Sequence, residues 1–375
     1  MLHSPRVRLA CALAALSPLS LVAQEPERTT VGGYGEIHYS NPTGANTPGD
    51  VNVKRFVLFL SHSFNERIAL RSELELEDTK LEGGASGGEV ALEQAYLDYR
   101  LSDAMTIRTG LVLAPVGIIN EVHEPPTFNG VARPAFERDV IPTTWREIGL
   151  GAAGAFPGVS GASYRVYLVS GLRADGFSGG SGVRGGRQEG KEASFANPSL
   201  TGRVEWGRPG LKIGGSFWYG GAANQDSVLG TGTFDAPVTL LSADARYDIG
   251  AFMFRGEAAR ITVSDAGKIN SRYSTAVGSR IEGGYAEGAY NLLTVLAPTS
   301  AQKLNVFLRH ERYDTHAAVP GGTPRDATLA RRITTIGFAY KPVHSVVFKA
   351  DYQLRRNRAG AGEDEVLSLG AGYQF

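Results

Sequence analysis

The feature that most constrains the fold is an alternation of apolar and polar residues with a period of two, in segments of about ten residues. In the segment 344–356, Val346 and Phe348 share one face. Lys349 and Asp351 share the other. Because successive side chains of a β-strand point to opposite faces, this pattern predicts strands that separate two environments. Sixteen such segments are predicted, at 30–39, 52–62, 67–78, 90–101, 104–113, 145–156, 162–171, 198–207, 210–220, 237–248, 250–263, 280–291, 302–313, 330–341, 344–356 and 364–375.

The connections between the predicted strands alternate in length along the chain. Short turns follow even-numbered strands, as at 65–66 and 102–103, and longer loops follow odd-numbered strands, as at 83–88 and 173–197. An even number of strands with this alternation predicts a closed antiparallel barrel in an outer membrane, with periplasmic turns and external loops. Strands of about ten residues, tilted by about 40°, also match the roughly 25 Å apolar band of such a barrel.

A membrane also accounts for closure, because an open sheet edge in lipid would leave backbone groups unpaired at several kcal/mol each. A large soluble β-sandwich or β-helix is the alternative, since it would show alternation and many glycines as well. That alternative predicts neither the alternating loop lengths nor polar faces that carry Arg and Glu side by side. The longest uncharged run, 148–164, is broken by glycines and Pro157, so no transmembrane helix is expected.

The N-terminus has the pattern of a secretory signal peptide. Arg6 and Arg8 precede a short apolar run, 9–16, which is followed by small residues. The sequence therefore predicts a cleaved signal peptide at 1–23 and an outer-membrane barrel at 24–375.

Cysteine usage and charge narrow the partners. The single cysteine, Cys11, lies in the predicted signal peptide, so neither disulfides nor thiolate metal sites are expected in the mature chain. Acidic and basic residues balance at 38 each, which implies no nucleic-acid partner.

The chain ends in a strand whose last residue is aromatic. Tyr373 and Phe375 share a face with Leu367 and Leu369. This end resembles the terminal strand of bacterial outer-membrane barrels, whose last aromatic residue helps the barrel-assembly machinery to recognise them. The resemblance makes Tyr373 and Phe375 the expected assembly signal.

Over nearly the whole mature chain, the sequence resembles the sixteen-stranded porins grouped with the phosphate-selective porins. Strand count, loop alternation, Phe375 and the stretches 117–121 and 142–147 carry the resemblance. It implies a homotrimeric outer-membrane porin, a passive diffusion channel for small polar or charged solutes, with anions such as phosphate among them. Members of that family have a lysine cluster on the third loop. The third loop here has no lysine, and it sets Arg133 and Arg138 against several acids, so weak to moderate ion preference is expected.

The segment 114–144 is the third long loop and the predicted pore constriction. A sixteen-stranded barrel is too wide for its wall side chains to fill, so a channel remains that this loop would narrow. Its prolines restrict φ and lower the entropy cost of holding it in place, and Phe128, Phe136 and Ile141 are the expected anchors. The predicted constriction residues are Glu121, His123, Glu124, Arg133, Glu137, Arg138 and Asp139. Alternatively, these residues tie the loop to the wall or close the outer face as a lid.

If the apolar face contacts lipid, the opposite face lines the lumen. The predicted lumen-lining cations are Arg71, Arg108, Arg165, Arg203, Lys212, Arg246, Arg255, Arg309 and Lys349. Acidic residues lie on the same face as these cations. Rings that mix both signs of charge orient water and polar solutes, and they discriminate only modestly between anions and cations. Alternatively, many of these charges pair across neighbouring strands.

Two other functions are alternatives to a porin, namely a barrel hydrolase and an adhesin or scaffold. A barrel hydrolase would need a nucleophile, a base and an orienting group; His123 is close to acids in sequence, but it lies in an aperiodic loop. No catalytic residue, cofactor or metal site is expected, since no two histidines have ligand spacing on a helix. An adhesin or scaffold would act through its external loops, among which 176–190 is rich in glycine and is expected to be mobile.

Overall fold

The computed structural model describes residues 28–43, 48–78, 88–223, 235–362 and 364–375; the predicted signal peptide, 1–23, lies outside them. The described residues form sixteen strands. These are β1 Arg28–Pro42, β2 Asp50–Ser63, β3 Ile68–Glu77, β4 Glu89–Ser102, β5 Met105–Leu113, β6 Arg146–Ala155, β7 Ala162–Val169, β8 Ser199–Arg208, β9 Leu211–Gly221, β10 Pro237–Ile249, β11 Phe252–Val263, β12 Arg280–Asn291, β13 Lys303–Ala318, β14 Ala330–Val343, β15 Val346–Asn357 and β16 Glu365–Gln374.

Helical structure in the described residues is short and lies between the strands. The α-helices are α1 Phe136–Asp139, α2 Ala266–Tyr273 and α3 Leu293–Leu296, and single 3₁₀ turns lie at Pro125–Thr127, Ala174–Gly176, Arg184–Gly186 and Ala327–Leu329. In this part of the chain, none of the helices has the length and apolar character needed to cross a bilayer.

The strands close into a barrel in chain order. Each pairs antiparallel with its neighbours, and β1 pairs with β16. At this seam the Gly33 amide donates to the Phe375 carbonyl at 3.0 Å, and the Phe375 amide donates to the Gly33 carbonyl at 2.9 Å. The prediction of an all-β, sixteen-stranded antiparallel barrel is confirmed.

Strand positions agree with the alternation, and the differences lie at the strand ends. The twelfth strand has the predicted bounds, whereas β13 extends beyond its predicted end because it continues to pair with β12 as far as Arg280 opposite Ala318. The connection between β12 and β13 is longer than a tight turn, because it contains α3. Asn291 stabilises this connection: its Oδ1 accepts hydrogen bonds from the amides of Leu293 at 3.3 Å and Leu304 at 3.0 Å.

The two faces of the barrel differ as the alternation predicts. Outward-facing Leu241, Leu308 and Ile336 are each more than half exposed. On the inner face, charged groups such as Arg309 and Glu311 are buried. Exposed aliphatic side chains on the outside suit a surface covered by lipid.

An apolar core, called the inner core, lies inside the barrel. The third loop, 114–145, and the fourth loop, 170–198, pack against inner-face side chains of the wall. Phe136 is completely buried there, and the rings of Trp145 and Trp218 stack with centroids 4.0 Å apart. This core fills part of the lumen and fixes both loops.

The glycine-rich fourth loop, which is expected from its composition to be mobile, packs into the inner core. Phe177 and Val183 from this loop are buried in the inner core. Glycine is needed because two loop segments nearly touch: a Cβ on Gly176 would lie 1.9 Å from the Gly185 carbonyl oxygen. Glycine permits this close backbone approach.

Candidate functional site

The third loop is closed at its base by one side chain. Asn120 donates from Nδ2 to the carbonyls of Ala114 at 2.7 Å and Trp145 at 3.0 Å, and its Oδ1 accepts from the Trp145 amide at 2.7 Å. Asn120 is fully buried, so these bonds satisfy backbone groups that water does not reach. The loop therefore begins and ends at one fixed point on β5 and β6.

Acids on the wall hold the loop by its backbone amides. Glu257 accepts from the amide of Ile118 at 3.0 Å. Asp351 accepts from the amide of Val131 at 2.6 Å, and Glu311 from the amide of Phe136 at 2.9 Å. Charge-assisted hydrogen bonds of this kind are roughly twice as strong as neutral ones.

Bases on the wall hold the loop by its carbonyls. Lys349 donates to Gly130 at 2.8 Å, with its ammonium also 3.6 Å from the ring centroid of Phe128. Lys341 donates to Pro126 at 2.6 Å. Strands β11, β13, β14 and β15 thus hold a loop that leaves the wall at β5 and β6. The expected anchors Phe128, Phe136 and Ile141 are confirmed as buried.

The fourth loop locks the end of the third. Arg187 donates to the carbonyls of Pro142 at 3.2 Å and Thr144 at 2.9 Å, and Arg184 donates to the carbonyl of Thr143. Burial, followed by the positive charges of Arg187 and Arg138, lowers the pKa of Arg184 to about 10. The guanidinium stays charged at neutral pH, in a positive local field.

The structure divides the predicted constriction residues into two groups. His123, Glu137 and Asp139 are buried, which is the arrangement of the alternative in which they tie the loop to the wall. Asp139 accepts from Tyr313 and from Arg331, each at 2.8 Å.

The remaining predicted residues are more accessible. Arg133 and Arg138 line a cavity beside the loop. Glu121 is partly exposed and forms an ion pair with Arg165 at 3.2 Å. Glu124 is partly exposed, and its carbonyl accepts from the Thr127 amide at 2.9 Å.

Two buried loop residues have strongly shifted pKa values. Burial and the positive charge of Arg133 disfavour a proton on His123, but the nearby carboxylates of Glu73 and Glu93 prevail and raise its pKa to about 9. Burial, together with the adjacent Glu257 carboxyl, holds the pKa of Glu137 well above its usual value. His123 therefore carries a proton at neutral pH when no other cation is bound, and the raised pKa of Glu137 favours its protonated form.

The cavity lies between the third loop and the wall, towards the ends of the strands that carry the long loops. It has a volume of about 800 Å³. Its described lining contains nine Arg and Lys side chains against four Asp and Glu side chains, and we call it the basic cavity. Its charged lining consists of Lys54, Arg55, Arg133, Arg138, Arg184, Arg309, Arg331, Arg355, Arg356, Glu36, Glu77, Glu311 and Asp364.

Ion pairs compensate much of this charge, but Arg133 is different. Arg55 pairs with Glu36 at 2.8 Å, and Arg309 pairs with Glu311 at 3.0 Å. Nε and Nη2 of Arg133 have no hydrogen-bond partner in the described structure. Unpaired buried guanidinium nitrogens are costly, and these two nitrogens of Arg133 lack the compensation that Glu36 gives Arg55 and Glu311 gives Arg309.

The predicted lumen-lining cations face interior partners. Arg108 pairs with Asp98 at 2.8 Å, and Arg203 pairs with Asp244 at 2.6 Å. The other contacts follow the same pattern, with Arg71 to Asp98, Arg165 to Glu121, Lys212 and Arg246 to Glu205, Arg255 and Arg309 to Glu287, and Lys349 to Gly130. For these cations, pairing across the wall or with the loop is the observed arrangement, and of the nine only Arg309 lines the basic cavity.

Sequence reasoning missed several residues that build the site. Glu311 was discoverable, since the alternation that selects Arg309 places Glu311 on the same face two residues later. Arg184 and Arg331 carried no such signal, because their roles depend on how a loop folds back and on where the third loop ends.

One cluster contains the residue types of a metal centre. Glu73, Glu93 and His123 come from β3, β4 and the third loop, and each offers a ligand atom within 4.8 Å of the others. The expected absence of a metal site rested on spacing along the chain, and such spacing does not reveal a cluster assembled from three separate segments.

Comparison with known proteins identifies relatives of two kinds. No family model matches the sequence. A protein of Aquifex aeolicus (strain VF5), described as an uncharacterized protein, is 38% identical over 353 residues, which cover 90% of this chain and 78% of that protein.

Several solved structures share the fold at low sequence identity. Salmonella typhi OmpF, solved with daunomycin, is 14% identical with a TM-score of 0.59, over 92% of this chain and 97% of that one. The outer membrane channel DcaP of Acinetobacter baumannii is 12% identical with a TM-score of 0.57, over 93% and 97%. The anion-selective porin of Comamonas acidovorans is 11% identical with a TM-score of 0.56, over 93% and 100%. The chain thus belongs to the family of the Aquifex aeolicus protein, and it has the sixteen-stranded barrel fold of outer-membrane porins.

Proposed function

We propose that this protein is an outer-membrane porin that lets small polar or charged solutes diffuse passively, with a preference for anions. The basic cavity carries the proposal, because its excess of Arg and Lys lies beside a loop that crosses the lumen. Clefts lined by one sign of charge raise the local concentration of the opposite ion. Phosphate is one candidate solute among small anions.

The proposed preference for anions is stronger than the composition of the third loop alone predicts. Taken alone, that loop has nearly balanced charge. In the folded chain, its acids Glu137 and Asp139 are directed to the wall, while Arg133 and Arg138 line the cavity. The passage therefore meets the basic residues of the loop, and these are the two loop residues to which we assign the constriction.

The cellular setting follows the same proposal. We place the mature chain in the outer membrane, reached through a cleaved signal peptide and the barrel-assembly machinery, with lipid around the apolar outer face. A homotrimer is supported by the Vibrio cholerae OmpT structure, which is described as a trimer form and shares the fold with a TM-score of 0.56. Neither a catalytic residue nor a cofactor forms part of the proposal.

Planar-bilayer recording of the purified protein tests this proposal. We expect stable open steps and, under a KCl gradient, a reversal potential of the sign set by chloride. The double variant Arg133→Ala/Arg138→Ala should shift that potential towards zero. Lys268→Gln, on α2 and outside the lining of the basic cavity, is the matched control and should leave it unchanged.

The possible outcomes separate the parts of the proposal. If no stable steps appear, the channel assignment fails and a scaffold or adhesin role through the external loops is favoured. If steps appear with a reversal potential of the opposite sign, the channel assignment stands and the anion preference is wrong.

A further inference from the structure

Three buried side chains converge where the third loop meets β3 and β4. His123 Nε2 lies 3.5 Å from Glu73 Oε1 and 3.3 Å from Glu93 Oε2. The three residues are at most 4% exposed. None of the three residues lines the basic cavity among the described residues.

The surroundings of His123 fix the role of its two ring nitrogens. Nδ1 lies 3.0 Å from the Asn120 carbonyl oxygen, and a carbonyl only accepts, so Nδ1 carries a proton and donates it. In the neutral ring, Nε2 then presents a lone pair to two carboxylates. Metal-ligating histidines have this arrangement, in which the other ring nitrogen donates to a carbonyl or carboxylate.

The carboxylate oxygens that face His123 lack hydrogen-bond partners. Glu73 Oε1 and Glu93 Oε2 are buried without one in the described structure. The second oxygen of each group is occupied and orients it: Glu73 Oε2 accepts from Gln94 at 2.6 Å, and Glu93 Oε1 pairs with Arg146 at 3.3 Å. When the ring is neutral, three acceptors thus point at one another, so the cluster needs a cation: either a metal ion or a second proton on His123.

The distances from His123 Nε2 to the two carboxylate oxygens match a bound metal ion better than a direct hydrogen bond. A proton on Nε2 would give an N–H···O⁻ bond of about 2.7–2.9 Å, shorter than either observed distance. A tetrahedral ion bound at about 2.1 Å places its ligand atoms about 3.4 Å apart. The observed distances of 3.5 and 3.3 Å lie on both sides of that value.

We propose that Glu73, Glu93 and His123 bind one divalent transition-metal ion of the Zn²⁺ class, with water at the fourth position. One imidazole and two carboxylates favour Zn²⁺, Co²⁺ or Ni²⁺, whereas Mg²⁺ and Ca²⁺ prefer sites made of oxygen alone. The ion joins the third loop to two strands. It therefore acts as a structural clamp on the loop, and binding to the folded state alone stabilises that state.

Metal titration of the protein tests the site. The chain is prepared without a polyhistidine tag, folded in detergent that has been treated with a chelator, and titrated with Zn²⁺ by calorimetry. We expect one saturable site per chain. His123→Ala and Glu93→Gln should each weaken binding by about 100-fold or more, because each removes one of three ligands.

A matched histidine variant separates this site from surface binding. His310 is exposed on β13, and its Nδ1 is also hydrogen-bonded, 3.0 Å from the Thr334 hydroxyl. His310→Ala should leave Zn²⁺ affinity unchanged. Replacing Zn²⁺ with Co²⁺ should give the intense visible absorption of four-coordinate cobalt, and this absorption should disappear in His123→Ala.

Two results would overturn the metal site. One is the absence of saturable binding, which would leave a protonated His123 as the cation between the carboxylates. The other is unchanged affinity in a folded His123→Ala protein. If that variant does not fold, anomalous diffraction at the zinc edge from wild-type crystals decides: a peak between the three side chains supports the site, and peaks only elsewhere mean an adventitious ion.

Discussion

Glu137 shows how a single residue on the third loop links the loop to the wall. It lies on α1, is fully buried and lies beside the carboxyl group of Glu257. Glu257 in turn accepts from the amide of Ile118 at 3.0 Å. A proton on Glu137 lets one carboxyl donate to the other, so the pair is attractive while that proton is present and repulsive once it is lost.

This arrangement predicts a pH-dependent stability. The pKa of Glu137 is raised in the folded state above its usual value of 4.5, so its contribution to the free energy of unfolding is complete below that pH. The contribution is lost as the pH rises through the raised pKa. Glu137→Gln keeps a hydrogen-bond donor without the acidic proton, and it should raise the melting temperature at about pH 8 with little effect at about pH 4.

The measurement is thermal unfolding in detergent, followed by circular dichroism across this pH range. Glu66→Gln, in the exposed turn between β2 and β3, is the control and should retain the wild-type pH slope. An unchanged slope in Glu137→Gln would show that Glu137 does not carry the effect.

At the scale of elements, the third loop is a rigid connection between β5 and β6 and also forms one side of the basic cavity. Asn120 fixes its base, and wall residues as far apart in the barrel as Glu257 and Asp351 hold its backbone. Because the loop crosses the lumen, its removal opens cross-section that the side chains of a sixteen-stranded wall do not fill.

Deletion of 121–140 should therefore raise single-channel conductance and reduce ion selectivity. The loss of His123, Phe136 and their contacts should also lower thermal stability. Deletion of 321–322, two exposed glycines between β13 and β14, is the control and should change neither conductance nor selectivity. Unchanged conductance after the first deletion would place the conduction path away from the third loop.

The elements that the sequence predicts are the strands, whose pattern of apolar and polar residues reflects the environment on each side of the wall. Strand positions were recoverable because successive residues in a wall face the outside and the lumen in turn, apart from bulges such as the one between Glu36 and Ile37. The fold of the loops was not recoverable in the same way. Helix α2 and the fourth loop are fixed by contacts with distant segments, as when Asn270 bonds to the Val277 carbonyl and to Thr323.

The candidate site was predicted in part for the same reason. The loop position and its apolar anchors followed from strand counting and hydrophobicity. Which charged residues face the passage depends on the direction of each side chain in an aperiodic segment, and composition does not report that direction. Hence Arg133 and Glu137, four residues apart, have opposite surroundings.

At the scale of the whole molecule, the barrel is complete only when its first and last strands meet. The C-terminal residue takes part directly, because Phe375 exchanges two backbone hydrogen bonds with Gly33. Its side chain is exposed, as is that of Tyr373 on the same face. Backbone closure at Phe375 is therefore distinct from the recognition of its aromatic ring that the sequence predicts.

Two variants separate these contributions. Deleting Phe375 removes both backbone bonds, worth about 2 kcal/mol together, and should lower the folded fraction both in detergent and in cells. Phe375→Leu keeps the bonds, so refolding in detergent should be near wild type, whereas assembly in cells should fall several-fold if the aromatic ring is recognised. Heat-modifiable gel mobility measures the folded fraction, and equal assembly of Phe375→Leu and wild type in cells would contradict a role for the ring.

The inner core and the basic cavity occupy different parts of the same lumen, and this separation bears on how the protein changes through evolution. Residues that pack the core, such as Phe136 and Trp218, tolerate little change in volume. Cavity residues such as Arg138 and Arg355 lie at a solvated surface, where substitutions have small effects on stability. Homologues can therefore diverge in the charge of their passage while they keep one scaffold, so selectivity is free to adapt without repacking the protein.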